Sequence, residues 1–394
     1  MTPIKPLYIS TGQPADGKNK FFKRDKIIKE IWQKLERGEN LLVVAPRRVG
    51  KSSILKNIAR YPKDGYIVKY NIIMGVQYSN EFFKKIHVSL LENSDILGFI
   101  RSNYEEAKIV AGSILSRIKS AEVLGNGIEF DESKAIDYYQ EVTELLTLIP
   151  HNSKKVVFLI DEFPDMVLNI SKKSKEEAIS FLQKNRDLRQ KYKNVKFVLT
   201  GSIGLGNVIK RLGRRDLIND LEYVTVPALS EIEAIKLIDS LCLGLEDDKI
   251  YLKLTDEIKS YIIKKISWTI PYYIQIVIDR LSIYMTDDKK PIEKSDIDAV
   301  FDEIIKARYF RYWKDRLSKA FNKVERSLAI EILSTISKNK KMHYEEIKKM
   351  AHETINLKDL LEVLEYDGYI NEEERVYQFN SPLLREWWGY RVAE

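Results

Sequence analysis

Short apolar runs, each followed by residues repeating at helical spacing, organise the chain as far as Pro227. Residues 41–44 and 156–160 are continuous in apolar types, residues 66–72 and 195–200 are rich in apolar, β-branched or aromatic ones, and all four are predicted to be strands. A shorter strand is expected over 223–226. Between them, Ile27, Ile28, Ile31, Trp32 and Leu35 form one helical stripe that begins at Asp25 and stops at Gly38. Ile54, Leu55 and Ile58 form another, and the period over 81–149 is helical, broken near Gly125-Asn126-Gly127. Short apolar strands alternating with helices predict an α/β fold: a mostly parallel sheet with helices on both faces.

The pattern changes after Pro227. It becomes wholly helical, with stripes such as Ala234, Leu237, Ile238 and Leu241, and an aromatic, basic segment over 309–317 reads as a connecting helix. A helix bearing Leu328, Ile332, Leu333 and Ile336 follows, then a short one over 344–350 and a third over 357–366. Asp367-Gly368 then leads into two short strands across Glu372-Glu373-Glu374, which together predict a winged helix–turn–helix. Residues 1–20 carry no period and read as an extended arm. The expected organisation is an arm over 1–20, an α/β core over 21–227, an all-helical lid over 228–318 and a C-terminal winged helix over 319–394.

Composition adds bounds. The 394 residues suffice for two or three domains, and 44% hydrophobic with 31% charged residues is ordinary for a soluble protein. No apolar run approaches the roughly 18 residues that span a bilayer, so no membrane role is expected. The opening Met1–Pro6 lacks the apolar stretch of a secretory leader, and a lone Cys242 excludes an internal disulfide; the expected location is cytoplasmic. Residues 1–60 hold 14 Lys/Arg against 5 Asp/Glu, whereas residues 322–394 hold 11 against 14. The basic surplus therefore surrounds the first helix and the loop after the first strand.

That loop carries the clearest chemistry. Ala45-Pro46-Arg47-Arg48-Val49-Gly50-Lys51-Ser52-Ser53 joins a buried strand to a helix and matches a phosphate-binding P-loop, with Ala45 in the place of its first glycine. Amides at the helix start and the positive end of its dipole favour an anion, Lys51 reaches β- and γ-phosphates, and the Ser52 hydroxyl completes a Mg²⁺ shell. Asp161, at the end of a buried strand, is a candidate for the same Mg²⁺ shell, and Glu162 beside it for the base that activates water. Thr200 and Ser202 stand at the tip of the next strand, where a hydroxyl can meet a γ-phosphate or the lytic water. Arg214 and Arg215 are candidates to stabilise charge on a transferring phosphoryl group or to sit at a subunit interface.

These motifs, in this order, resemble the archaeal-type ATPase group of the AAA+/STAND P-loop NTPases, relatives of the origin-recognition ATPases. Thr11-Gly12-Gln13-Pro14 and Phe22-Lys23-Arg24-Asp25 are similar to that group's arm and adenine-lining box, and residues 46–53 to its P-R-R-x-G-K-[ST]-S signature. Residues 159–164 resemble its Walker B strand. Trp268-Thr269-Ile270-Pro271-Tyr272-Tyr273 keeps the proline and tyrosines of a Gly-Gly-x-Pro-Tyr-Tyr lid turn and lacks both glycines. The resemblance implies ATP/ADP with Mg²⁺ as ligands. Pro46, Arg47, Arg48, Val49, Gly50, Lys51, Ser52, Ser53, Arg24 and Pro271 would then hold nucleotide. It implies a slow ATPase and molecular switch whose nucleotide state controls lid and winged helix, and with them a protein partner or self-association. A DNA-associated loader and a nucleotide-dependent scaffold with negligible turnover are the alternatives.

Charge argues against DNA contact through the winged helix. Its third helix carries Lys358 against Asp359, Glu362, Glu365 and Asp367, and the wing adds three glutamates to Arg375 alone. The domain is therefore expected to make a protein contact or an intramolecular lock. If DNA binds, the arm, the lysine-rich residues 184–196 and the helix around 308–319 are the better surfaces.

Overall fold

The computed structural model describes residues 4–73, 75–102, 136–150, 153–201, 204–285, 291–352 and 354–393. Its contacts divide the chain into two compact units. One comprises residues 25–44 and 58–224; the other comprises the residues up to Arg24, residues 45–57 and residues 225–394.

The first unit is built on a five-stranded sheet of β1 (Asn40–Val44), β2 (Tyr66–Ile72), β3 (Lys155–Asp161), β4 (Val195–Thr200) and β5 (Leu221–Thr225), in the order β2-β3-β4-β1-β5. β1 pairs with β4, β4 with β3 and β3 with β2, all parallel. Every residue of β4 is buried, as is β3 from Val156 onward, so both faces of the central strands are covered. The expected strands lie where the apolar runs placed them, except that β5 starts two residues earlier. Glu222, Tyr223 and Thr225 are exposed on this edge strand, which leaves it no continuous apolar run to read. The expected break near Gly125 lies outside the described residues.

Strand order also locates a crevice. The chain leaves β1 toward β2 on one side of the sheet and leaves β4 toward β5 on the other, yet β1 and β4 are neighbours. Right-handed crossovers running in opposite directions diverge onto opposite faces, and ligands of open parallel sheets bind beyond the carboxyl ends of strands at such a switch point. Val44 and Thr200 end the two strands there.

Below the tips, Phe82 and Phe83 of the Ser79–Leu91 helix pack with Phe163 and Phe181, ring centroids 5.1–6.3 Å apart. Phe163, wholly buried, fixes the chain directly after Glu162. A Cβ on Gly201 would overlap the Pro164 ring, so the ends of β3 and β4 approach through the absence of a side chain. Gly201→Ala is expected to cost about 1–3 kcal/mol by overpacking, read as a lower denaturation midpoint at unchanged m-value.

The second unit holds the helices Glu231–Glu246, Asp256–Ile266, Pro271–Tyr284, Lys294–Lys306 and Arg311–Ala320. Ser230 opens the first with a capping box to Glu233, as Asn322 does with Glu325 for the Lys323–Asn339 helix. Helices Tyr344–Met350 and Leu357–Asp367 follow, with a three-stranded antiparallel sheet of β6 (Lys341–His343), β7 (Ile370–Glu373) and β8 (Val376–Phe379), ordered β6-β8-β7. This is the winged helix–turn–helix, extended by β6 and by a final helix Pro382–Arg391 that the sequence reading did not include. Trp313 joins the connecting helix to this part. It is fully buried, its ring lies 4.8 Å from that of Tyr369, and the Tyr369 hydroxyl donates to its carbonyl at 2.6 Å. The arm is fastened to the helices: Leu7 N donates to Ser240 O at 2.8 Å, and Ser10 N donates to Gln275 Oε1 at 2.6 Å. Among the described residues no helix is long and apolar enough to cross a membrane.

Candidate functional site

In the second unit the P-loop runs from β1 into the Lys51–Arg60 helix. Gly50 takes φ +107°, a backbone region costly for any side chain, and Arg48 enters the left-handed region at φ 66°. Lys51 is buried, and its Nζ donates to the carbonyls of Ala45 at 2.7 Å and Pro46 at 3.0 Å. The loop is therefore wound around its own ammonium group. Ser52 and Ser53 follow in the first helical turn, whose leading N–H groups have no acceptor within the helix. Val49, 1% exposed, pins the middle of the loop.

The two arginines of the signature separate. Arg48 lies over the rings of Tyr272, at 4.6 Å, and Tyr312, at 4.8 Å, and its Nη1 donates to Thr11 O at 3.5 Å. Tyr272 directly follows Pro271, the first residue of the Pro271–Tyr284 helix. The loop is thus tied to the lid turn by a cation–π clasp. Arg47 lies over Tyr312 at 5.6 Å. Arg24 is buried and its Nη2 donates to Pro227 O at 2.8 Å; burial lowers its pKa and Glu233 opposes that.

In the first unit the tips of β3 and β4 stand side by side, Ile160 in register with Leu199. Asp161 is buried at the end of β3. Its Oδ2 accepts from the Tyr70 hydroxyl at 2.8 Å and its Oδ1 from Glu162 N at 3.1 Å, which fix the plane of the carboxylate. Glu162, half-buried, takes φ 62° and ψ 32° as N-cap of the Phe163–Lys173 helix. A left-handed glutamate costs on the order of 1 kcal/mol, a strain that persists only where the surroundings impose it. Thr200 is wholly buried and its Oγ1 donates to Val43 O at 2.9 Å, so its hydroxyl joins β4 to β1 at the switch point. Ser202 lies outside the described residues.

Arg214 and Arg215 follow Gly213, which closes the Leu205–Leu212 helix in the left-handed region. Arg214 donates to both carboxylate oxygens of Asp216, at 3.0 and 2.8 Å, and that hydrogen bonding raises its pKa; Arg215 is exposed. Arg189, buried in the Lys175–Lys191 helix, holds the end of this segment through Asp220, at 2.8 Å from each oxygen, and Leu217 O at 2.8 Å. Tyr70 and Arg189 were not among the residues expected at the site. Tyr70 sits on β2 as one more aromatic strand residue, and only the pairing of β2 with β3 gives it a carboxylate to hold.

Comparison with known proteins identifies the family and the fold. Residues 21–249 match the model of an ATPase domain predominantly from Archaea. The fold is similar to that of a Walker-type ATPase of Pyrococcus abyssi, at a TM-score of 0.64 and 16% identity over 96% of this chain and 98% of that one. It is also similar to the ORC2 protein of Aeropyrum pernix, solved as ADPNP–ADP complexes, at 0.53 and 10% identity over 96% and 95% of the two chains. No curated protein sequence matches the chain.

Proposed function

We propose, from the premise that this chain belongs to the ATPase-domain family found predominantly in Archaea, that it is an ATP-binding, Mg²⁺-dependent ATP-hydrolysing switch. The observation that carries this reading is the Asp161–Glu162 tip. One carboxylate is fixed by Tyr70 and a backbone amide, and a second is held beside it by a left-handed backbone. ATPases need this division of labour: an immobile carboxylate for the metal's shell and a base for water. Hard oxygen donors, the Ser52 hydroxyl and the Asp161 carboxylate, suit Mg²⁺, which when bound neutralises phosphate charge. Lys51 would exchange its two loop carbonyls for phosphate oxygens, Glu162 would take the proton of the attacking water, and Arg24 and Pro271 would stand near adenine. Thr200 would act through Val43 and the strand that carries the P-loop. Arg214 and Arg215 would act on the phosphoryl group or across a subunit interface. Arm, core, lid and winged helix are retained as the functional divisions, and the cytoplasm as the location.

A DNA-associated role is the second reading, and burial weakens one of its three candidate surfaces. In the Arg311–Ala320 helix, Arg316 is buried in an ion pair with Asp367, and Trp313 and Leu317 are wholly buried. The basic side chains left exposed on that helix are Arg311, Lys314 and Lys319, the first of them paired with Asp315 at 3.8 Å. Solution mass measured with ADP and with a non-hydrolysable ATP analogue, each with and without duplex DNA, tests the switch. Nucleotide is expected to change the assembly state and DNA to leave it unchanged. One mass in all four conditions would remove self-assembly as the output.

A further inference from the structure

The C-terminal end of the winged helix's acidic helix, Leu357–Asp367, is set directly against the P-loop. Gly368 closes that helix at φ +86°, its N–H donating to Glu365 O at 2.9 Å while Tyr369 N donates to Leu364 O at 3.0 Å. A Cβ on Gly368 would lie 2.8 Å from the Cβ of Pro46 and 2.6 Å from the Trp268 ring, so the close approach depends on glycine. Asp367, one residue earlier, is 1% exposed. Arg316 Nε donates to its Oδ2 at 2.9 Å and Nη2 to its Oδ1 at 3.1 Å.

Two negative elements therefore stand at the turn packed on Pro46: a buried carboxylate, held by Arg316, and the negative end of a helix dipole. Burial raises the Asp367 pKa, and the fields of Arg316, Arg47 and Lys51 lower it in turn. Two of those three cations belong to the phosphate-binding signature. A buried pair is weak evidence for stability in itself, since apolar residues of similar volume commonly replace one without loss. Its position beside the P-loop gives it another consequence.

We propose that Asp367 is an affinity-setting positioning residue of the nucleotide site, the resident counter-anion of Arg47 and Lys51 against which a nucleotide's phosphates must compete. The inference rests on the ATPase reading and names how the winged helix regulates that same site. It also gives one acidic residue of this helix, Asp367, a use inside the molecule. By linkage, whatever partner draws the Asp367–Gly368 turn away from Pro46 tightens phosphate binding, and phosphate binding loosens the turn by the same factor.

The test is equilibrium binding of ADP and of AMP to the full chain, to the double variant Arg316→Met/Asp367→Leu, and to Asp367→Asn. The double variant removes both buried charges together and so preserves packing; Asp367→Asn keeps the shape and removes the carboxylate. Both variants are expected to bind ADP more tightly: Asp367→Asn by about five- to tenfold, the scale of one nearby partly screened charge, and the double variant, which removes a cation together with the anion, by less. AMP, which lacks the phosphate that Lys51 meets, is expected to change less than twofold. A purely structural role would move both ligands together. Unchanged or weaker ADP binding in either variant, with cooperative unfolding intact, overturns the proposal. So does an equal change for AMP. If the wild-type chain binds no ADP, the ATPase reading itself fails, a result separate from wild-type binding that the substitutions leave unaltered.

Discussion

Lys51→Ala is expected to weaken ATP binding by about 10²–10³-fold and to remove turnover. The ammonium group is buried, and its partners are the carbonyls of Ala45 and Pro46, two acceptors from the loop that it shapes. Alanine removes a charge-assisted donor for β- and γ-phosphates, each such bond contributing about 1.5–3 kcal/mol. It also leaves two loop carbonyls short of a partner. The loop holds one left-handed arginine and one left-handed glycine, so it has little reason to keep its shape without that donor. Arg48, over Tyr272 and Tyr312, cannot substitute without breaking its clasp. Titration with a fluorescent ATP analogue measures the loss. Affinity within threefold of wild type would remove Lys51 from the site.

Glu162→Gln is the second large effect, and its signature is different. Glutamine keeps the size and polarity of the side chain and cannot accept the proton of the attacking water. Removing a positioned general base lowers the chemical step by about 10²–10⁴-fold. Binding is expected to survive, because Asp161, the proposed Mg²⁺ ligand, keeps its hydrogen bonds from Tyr70 and from the backbone N–H of residue 162. Residue 162 keeps its left-handed conformation, so the strain is unchanged. The variant should therefore retain ATP, with wild-type affinity and single-turnover decay slowed by at least 10²-fold. Normal turnover would move the base elsewhere.

The apolar runs made the sheet legible because its central strands are buried on both faces and so carry no alternating polar residues to obscure them. β5 was displaced by two residues since an edge strand exposes Glu222 and Tyr223. β6, three residues long, has too few positions to show a period, and the final helix begins at Pro382, where a proline reads as a break. P-loop residues were legible as a contiguous motif, since strand, loop and helix succeed one another in sequence. What was not legible is pairwise and distant. No local pattern tells that Tyr70 holds Asp161 across the β2/β3 pair, that Thr200 answers Val43, or that Arg48 turns to Tyr272 and Tyr312. The acidic character of the Leu357–Asp367 helix was visible; the packing of its C-terminal turn on Pro46 of the P-loop was not, since it depends on a glycine 322 positions further along the chain.

The central claim is that the chain hydrolyses ATP with the residues named. It is tested most directly by phosphate released from Mg²⁺-ATP under excess substrate, by the wild-type chain and by Lys51→Ala prepared identically. The account predicts several equivalents of phosphate per wild-type chain, none above background from Lys51→Ala, and none from the wild type when EDTA removes Mg²⁺. Release that is equal for the two proteins, or that never exceeds one equivalent from the wild type, would contradict it.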